Sequence, residues 1–126
     1  MRTIELYKNQ SQMLEGLKLR QSLSNIVEDA EVIDLRTLDP MGVDWEMIGE
    51  SLSRTNRIMI AEETTRGTSI GAHLVMQIQE RFFDDLDHEI VHVSGTHSSP
   101  VVSKVLERAA LAKPEEIAAG LTLLVR

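Results

Sequence analysis

The side chains best suited to acid–base or metal chemistry in this sequence are four histidines, His73, His88, His92 and His97. His88 and His92 fall on one face of a strand expected over residues 88–93. At roughly 3.3 Å per residue they stand about 13 Å apart, too far to share a metal ion. His73 belongs to an expected helix and His97 to a loop, so no spacing pairs them. A surface or partly buried structural histidine is the simplest reading of each. His97 keeps functional interest because loops carry binding and catalytic groups. A free-standing enzyme using His97 with Glu63 or Asp87 finds no support in the spacing.

The carboxylates offer more by location than by number. Glu62 and Glu63 follow an apolar run that reads as a buried strand, and ligands of open α/β sheets sit at the carboxyl ends of strands. Neighbours on a strand point to opposite faces, so at most one of the two addresses a given crevice. Next comes Arg66-Gly67-Thr68-Ser69-Ile70-Gly71, a small-residue loop running into a helix N-terminus. Free backbone N–H groups there suit an anion, and Arg66 could add charge or pair with Glu62 or Glu63. A plain turn with an N-cap accounts for the loop equally well. It matches neither a dinucleotide fingerprint nor a phosphate loop with its lysine. Asp84, Asp85, Asp87 and Glu89 form an acidic run that reads first as a solvated face and second as a contact for a basic partner. No nucleophile elbow, paired-histidine zinc helix or calcium loop occurs in the chain.

Bulk properties narrow the class. A chain of 126 residues fits one domain, and 42% hydrophobic with 26% charged residues is an ordinary globular composition. No apolar run reaches the roughly 18 residues of a membrane span, and the N-terminus has no signal-peptide core. A soluble cytoplasmic protein is expected. A net charge of −7 and 3% aromatic residues speak against a nucleic-acid partner. With no cysteine, disulfides, thiolate nucleophiles and cysteine metal sites are excluded.

The elements that would position these residues alternate in type. Residues 3–7 have strand periodicity, and residues 12–27 place Met13, Leu14, Leu17, Leu23, Ile26 and Val27 at mostly helical spacing. A second strand spans 31–35, and Asp39-Pro40 with Gly42 marks a turn. Asp44 caps a helix that buries Trp45, Ile48 and Leu52. Residues 57–61 form a strand buried on both faces, followed by a polar loop over 62–69. A helix over 70–83 carries Val75, Ile78 and Phe82 on one stripe. Ser99-Pro100 reads as a helix start, with Val101, Val102, Val105, Leu106 and Ala109 as its buried face. The last helix opens at Pro114-Glu115-Glu116 and buries Ile117, Leu121 and Leu124. The pattern predicts a three-layer α/β/α sandwich around a mostly parallel sheet.

Several stretches also carry a resemblance. Residues 30–40 (Ala-Glu-Val-Ile-Asp-Leu-Arg-Thr-Leu-Asp-Pro) resemble the start of the C-terminal domain in beta subunits of thiamine-diphosphate-dependent 2-oxoacid dehydrogenases, the pyruvate, branched-chain and acetoin enzymes. In the same order, Ile60-Ala61-Glu62-Glu63-Thr64-Thr65-Arg66 is similar to that family's strand and acidic loop. Gly71-Ala72, Gln77-Ile78-Gln79-Glu80 and Phe83-Asp84-Asp85-Leu86-Asp87 are similar to its next helix and exit, and Leu106-Glu107-Arg108-Ala109-Ala110-Leu111 to its penultimate helix. The resemblance runs from Ala30 onward, about three-quarters of the chain. Residues 1–29 diverge, and Thr96-His97-Ser98-Ser99-Pro100-Val101-Val102 replaces a proline-rich segment that faces neighbouring subunits in relatives.

The resemblance implies one transketolase C-terminal-like domain over residues 1–126, with a five-stranded sheet that has one antiparallel edge strand. It implies an assembly role through a homodimer, a dehydrogenase alpha subunit and a basic subunit-binding domain of the acyltransferase, which Asp84, Asp85 and Asp87 would meet. Thiamine diphosphate and magnesium are held elsewhere in such enzymes, so no cofactor and no catalysis are expected of this chain alone. The alternative is a free-standing module that binds a small anion or nucleotide through Glu62, Glu63, Arg66, Gly67 and Gly71, with His97 nearby.

Overall fold

The structure, a computed structural model, describes residues 2–7, 29–37, 39–96 and 102–124. Strands β1 (Arg2–Tyr7) and β2 (Asp29–Asp34) precede helix α1 (Trp45–Thr55). Then follow β3 (Ile58–Thr65), α2 (Ile70–Phe82), β4 (Val91–Gly95), α3 (Lys104–Ala110) and α4 (Pro114–Leu124). The strands form one sheet in the order β2-β1-β3-β4, and every pair is parallel.

Central strand β3 explains the layers. Ile58, Met59, Ile60 and Ala61 are all buried, as a strand covered on both faces requires. Their alternation divides them between two clusters. Ile58 and Ile60 pack with Ile48 and Leu52 of α1 and Leu74 and Ile78 of α2. Met59 and Ala61 pack with Ile117, Leu121 and Leu124 of α4. Two helices therefore cover one face and α4 the other, which gives the α/β/α layering. Gly120 brings α4 close, since a Cβ there would lie 2.9 Å from Met59 Sδ. The Arg57 guanidinium donates to Leu124 O, tying the end of α4 to the start of β3.

Caps fix the helix limits on the other face. Asp44 accepts from Met47 N–H at 3.0 Å at the start of α1. Asn56 ends that helix in the left-handed region at φ 57°.

Three expectations change. Strand β3 does not stop at residue 61 but runs to Thr65, so Glu62 to Thr65 are strand residues and not loop. Strand β4 starts at Val91 and not at 88, so His88 and His92 do not share a strand. The preceding segment is held instead by the Asp87 N–H donating to Asn56 O at 2.8 Å. The helix read from Ser99-Pro100 starts at Lys104, after Ser103. Its apolar side chains are not a buried face: Val102 is fully exposed, Val105 77% and Leu106 56%, and Ala109 is exposed as well. The described residues hold four strands, all parallel; a fifth strand and an antiparallel edge are not among them. The helix expected over 12–27 lies outside the described residues.

Candidate functional site

The carboxyl end of β3 assembles the densest polar cluster among the described residues. Strand parity sends Glu62 to the same side as Ile58 and Ile60, beneath the first turn of α2, and leaves Glu63 exposed. The Glu62 side chain is 2% exposed and that of His92 11%. His92 arrives from β4, where it pairs in register with Ile60. His92 Nε2 lies 2.7 Å from Glu62 Oε1, and Ser69 Oγ donates to the same oxygen. The Gly71 N–H donates to Glu62 Oε2 at 3.1 Å.

These contacts decide the charge. Burial pushes the Glu62 carboxyl up, but hydrogen bonds from His92, Ser69 and the Gly71 N–H outweigh it and hold the group at about 2. The Thr64 hydroxyl also favours the anion, although its buried Oγ1 has no partner of full hydrogen-bond geometry. An ionised carboxylate only accepts, so His92 Nε2 carries the proton of that bond. Glycine at position 71 lets these groups approach, because a Cβ there would collide with Glu62 Oε1 and lie 2.7 Å from His92 Nε2, so that both would have to shift.

The anion that α2's N-terminus attracts is thus the protein's own. Gly71 N–H serves Glu62, Ala72 N–H donates to Ser69 Oγ at 3.3 Å and His73 N–H to Ser69 O at 3.3 Å. The helix-terminal donors expected to receive an external anion are already engaged. Arg66 and Gly67 lie exposed in the turn between β3 and α2, where Gly67 adopts φ 90° and Arg66 forms no ion pair with either glutamate. This cluster is built to hold β3, α2 and β4 together.

The acidic run sits at the other end of the sheet. Asp84 and Asp85 belong to a 3-10 turn, Phe83–Asp85, and Asn56 Nδ2 donates to Asp85 O at 2.9 Å. Asp84 and Asp87 point to solvent and Asp85 is half-buried. Asn56 precedes β3 and Asp87 precedes β4, so this turn lies at the amino ends of two parallel strands and the Glu62 cluster at their carboxyl ends. The two candidate regions do not meet. His88 lies within the acidic run, its Nδ1 3.0 Å from Glu89 O, His73 sits on the first turn of α2, and His97 lies outside the described residues.

Helix α3 is the third notable region. Thr96 N–H donates to Ala110 O at 2.9 Å, and Gly95 leaves room for that carbonyl, which would lie 2.6 Å from a Cβ. Apart from this anchored end, α3 presents its apolar residues outward. Sequence periodicity found the stripe but mistook its destination. The Glu62–His92 bond was missed for a different reason, since it needs the β3–β4 register.

No group of three or more His, Asp or Glu side chains suited to a metal ion occurs among the described residues. No helix among them is long and apolar enough to cross a membrane.

A parallel sheet layered between α1 and α2 on one side and α4 on the other, with its polar cluster at the carboxyl end of β3, is the architecture of a transketolase C-terminal-like domain. The family described as "Transketolase, C-terminal domain" matches residues 11–117, and the chain belongs to that family. Among its relatives, the pyruvate dehydrogenase E1 component subunit beta of Porphyra purpurea is 37% identical over 89 residues, covering 71% of this chain and 26% of that protein. The acetoin:2,6-dichlorophenolindophenol oxidoreductase subunit beta of Bacillus subtilis is 32% identical over 114 residues, covering 90% of this chain and 33% of that protein. The chain thus spans about a quarter to a third of these relatives' length. A solved structure described as a split-gene transketolase, an inactive beta4 tetramer, superposes with a TM-score of 0.70 at 22% identity, covering 99% of this chain and 39% of that one. That likeness concerns the fold.

Proposed function

We propose that this chain is the subunit-contact domain of a thiamine-diphosphate-dependent 2-oxoacid dehydrogenase beta subunit, and that it supplies surface and not catalytic groups. The observation that carries this reading is α3 and its approach: Val105 and Leu106 on the helix and Val102 two residues ahead of it stand exposed although their spacing is that of a buried face. Large apolar side chains grouped on one exposed helix mark a protein-contact surface. The pyruvate and acetoin enzyme subunits among the relatives support the choice of assembly.

In that assembly thiamine diphosphate and magnesium are bound by other parts, and oxidative decarboxylation belongs to the whole complex. The partners are a second copy, an alpha subunit and a basic domain of the acyltransferase that meets Asp84, Asp85 and Asp87. A five-stranded sheet with one antiparallel edge strand is the fold that this reading carries for the domain.

Two measurements test this. Calorimetric titration with thiamine diphosphate and magnesium is expected to give no heat of binding, and an affinity in the micromolar range contradicts the reading. Sedimentation of the Val105→Asp, Leu106→Asp double variant is expected to show weaker association than the unsubstituted chain. Unchanged association removes α3 from the contact.

A further inference from the structure

Strand β4 is the outermost strand of the described sheet and pairs there with β3 alone. Among the described residues its outer side carries no strand and opens on a groove of about 440 Å³ lined by every residue from Glu89 to Ser94. Consecutive residues of a strand point to opposite faces, so a groove touching all of them runs along the strand's edge. Such an edge is a row of unsatisfied N–H and C=O groups, and proteins usually blunt it with lysine, proline or inward charge. Strand β4, Val-His-Val-Ser-Gly, has no lysine, proline or carboxylate, and its histidine is committed to Glu62. The opposite edge strand β2, Asp-Ala-Glu-Val-Ile-Asp, carries three acidic residues in six positions. The irregularity between β3 and β4 spans Ala61 to Thr65 on β3 but only Val93 to Gly95 on β4. The extra residues lie on the inner strand and not on β4.

We infer that β4 pairs edge to edge with β4 of a second copy of this chain, antiparallel about a two-fold axis, joining two sheets into one; this rests on the assembly role proposed above. Charge at the ends of the groove selects both partner and direction. Exposed Glu89 lies before the amino end of β4, whereas exposed Arg66 lines the groove near its carboxyl end, next to the Thr65–Gly95 pair. Glu116 also lines the groove; it accepts from the Lys113 N–H at 2.8 Å and forms no ion pair with Arg66. Antiparallel pairing sets each Glu89 toward the second copy's Arg66, twice per dimer, as a two-fold interface demands. Parallel pairing would set like charges together. With the axis at Val93, the two Val93 side chains become cross-strand neighbours, and half-exposed Leu123 of α4 is covered.

The test uses the Leu106→Asp chain, so that α3 does not contribute, and light scattering as the readout. That chain is expected to be dimeric. Adding Arg66→Glu or Glu89→Arg sets like charges face to face and should weaken the dimer by roughly tenfold or more. An equimolar mixture of the two variants restores both attractive pairs and is expected to re-form the dimer. Charge variants that dimerise as before, or a mixture that stays monomeric, overturn the edge pairing. A Leu106→Asp chain that is monomeric while the unsubstituted chain is dimeric overturns it too but leaves the assembly role intact. A monomeric unsubstituted chain overturns both.

Discussion

At the carboxyl end of β3 a glutamate is buried, and on α3 and just ahead of it three large apolar side chains are exposed. Both reverse the usual partition between core and surface, yet the chain treats them differently. Glu62 is surrounded by donors from α2 and β4, one of them a backbone N–H at a helix N-terminus, so its charge is compensated within the domain. For Val102, Val105 and Leu106 the described residues provide no cover. An inversion satisfied internally is a structural clamp, whereas one left open is an invitation to a partner. Catalysis is not needed to explain either.

Breaking the clamp should have the largest effect. Glu62→Ala leaves the Gly71 N–H, His92 and Ser69 without their shared acceptor in a buried place, and a loss of about 3 kcal/mol in unfolding free energy is expected from denaturant titration. A loss below about 1 kcal/mol would make the cluster incidental. The same clamp predicts the acid response. The folded Glu62 carboxyl sits at about 2 against an ordinary 4.5, so the unfolded chain binds the extra proton. Its contribution is complete above about pH 4.5 and is lost as pH falls through about 2. By linkage this is at most about 3 kcal/mol. Urea unfolding of the native chain and Glu62→Gln over that window should show the native chain losing stability more steeply as pH falls.

Gly71→Ala follows. The added Cβ cannot coexist with Glu62 and His92 as they stand, and a cost of about 2 kcal/mol is expected in thermal unfolding despite the better helix propensity of alanine. A stabilised variant would mean that the approach of α2 to β3 is looser than the distances indicate. On the other side of the comparison, Leu106→Asp should change unfolding free energy by less than about 0.5 kcal/mol while lowering the mean mass at a fixed concentration. A large loss of stability there would place Leu106 in the core.

Much of this fold was legible in the sequence because local patterns decided it. The apolar run at residues 58–61 announced a strand covered on both faces, Asp44 announced the start of α1, and Ile117, Leu121 and Leu124 announced the buried stripe of α4. Parity also separated Glu62 from Glu63. What stayed hidden depended on register or on partners. Glu62 and His92 are 30 positions apart, and only the alignment of β3 with β4 brings them together. The extent of β3 to Thr65 went unread because four polar residues resemble a loop until their hydrogen bonds are known. For α3, helical periodicity specifies a face but not what covers it, so the same stripe reads alike for a core helix and for a contact helix. The start of α3 slipped because Ser99-Pro100 and Ser103 are both acceptable helix starts.

The most direct test of the account is the solution mass of the unsubstituted chain, measured by light scattering across a concentration series. A contact domain with an uncovered α3 and an open β4 edge predicts a mass above that of the monomer, rising with concentration toward a dimer or larger. A monomer at every concentration would contradict it.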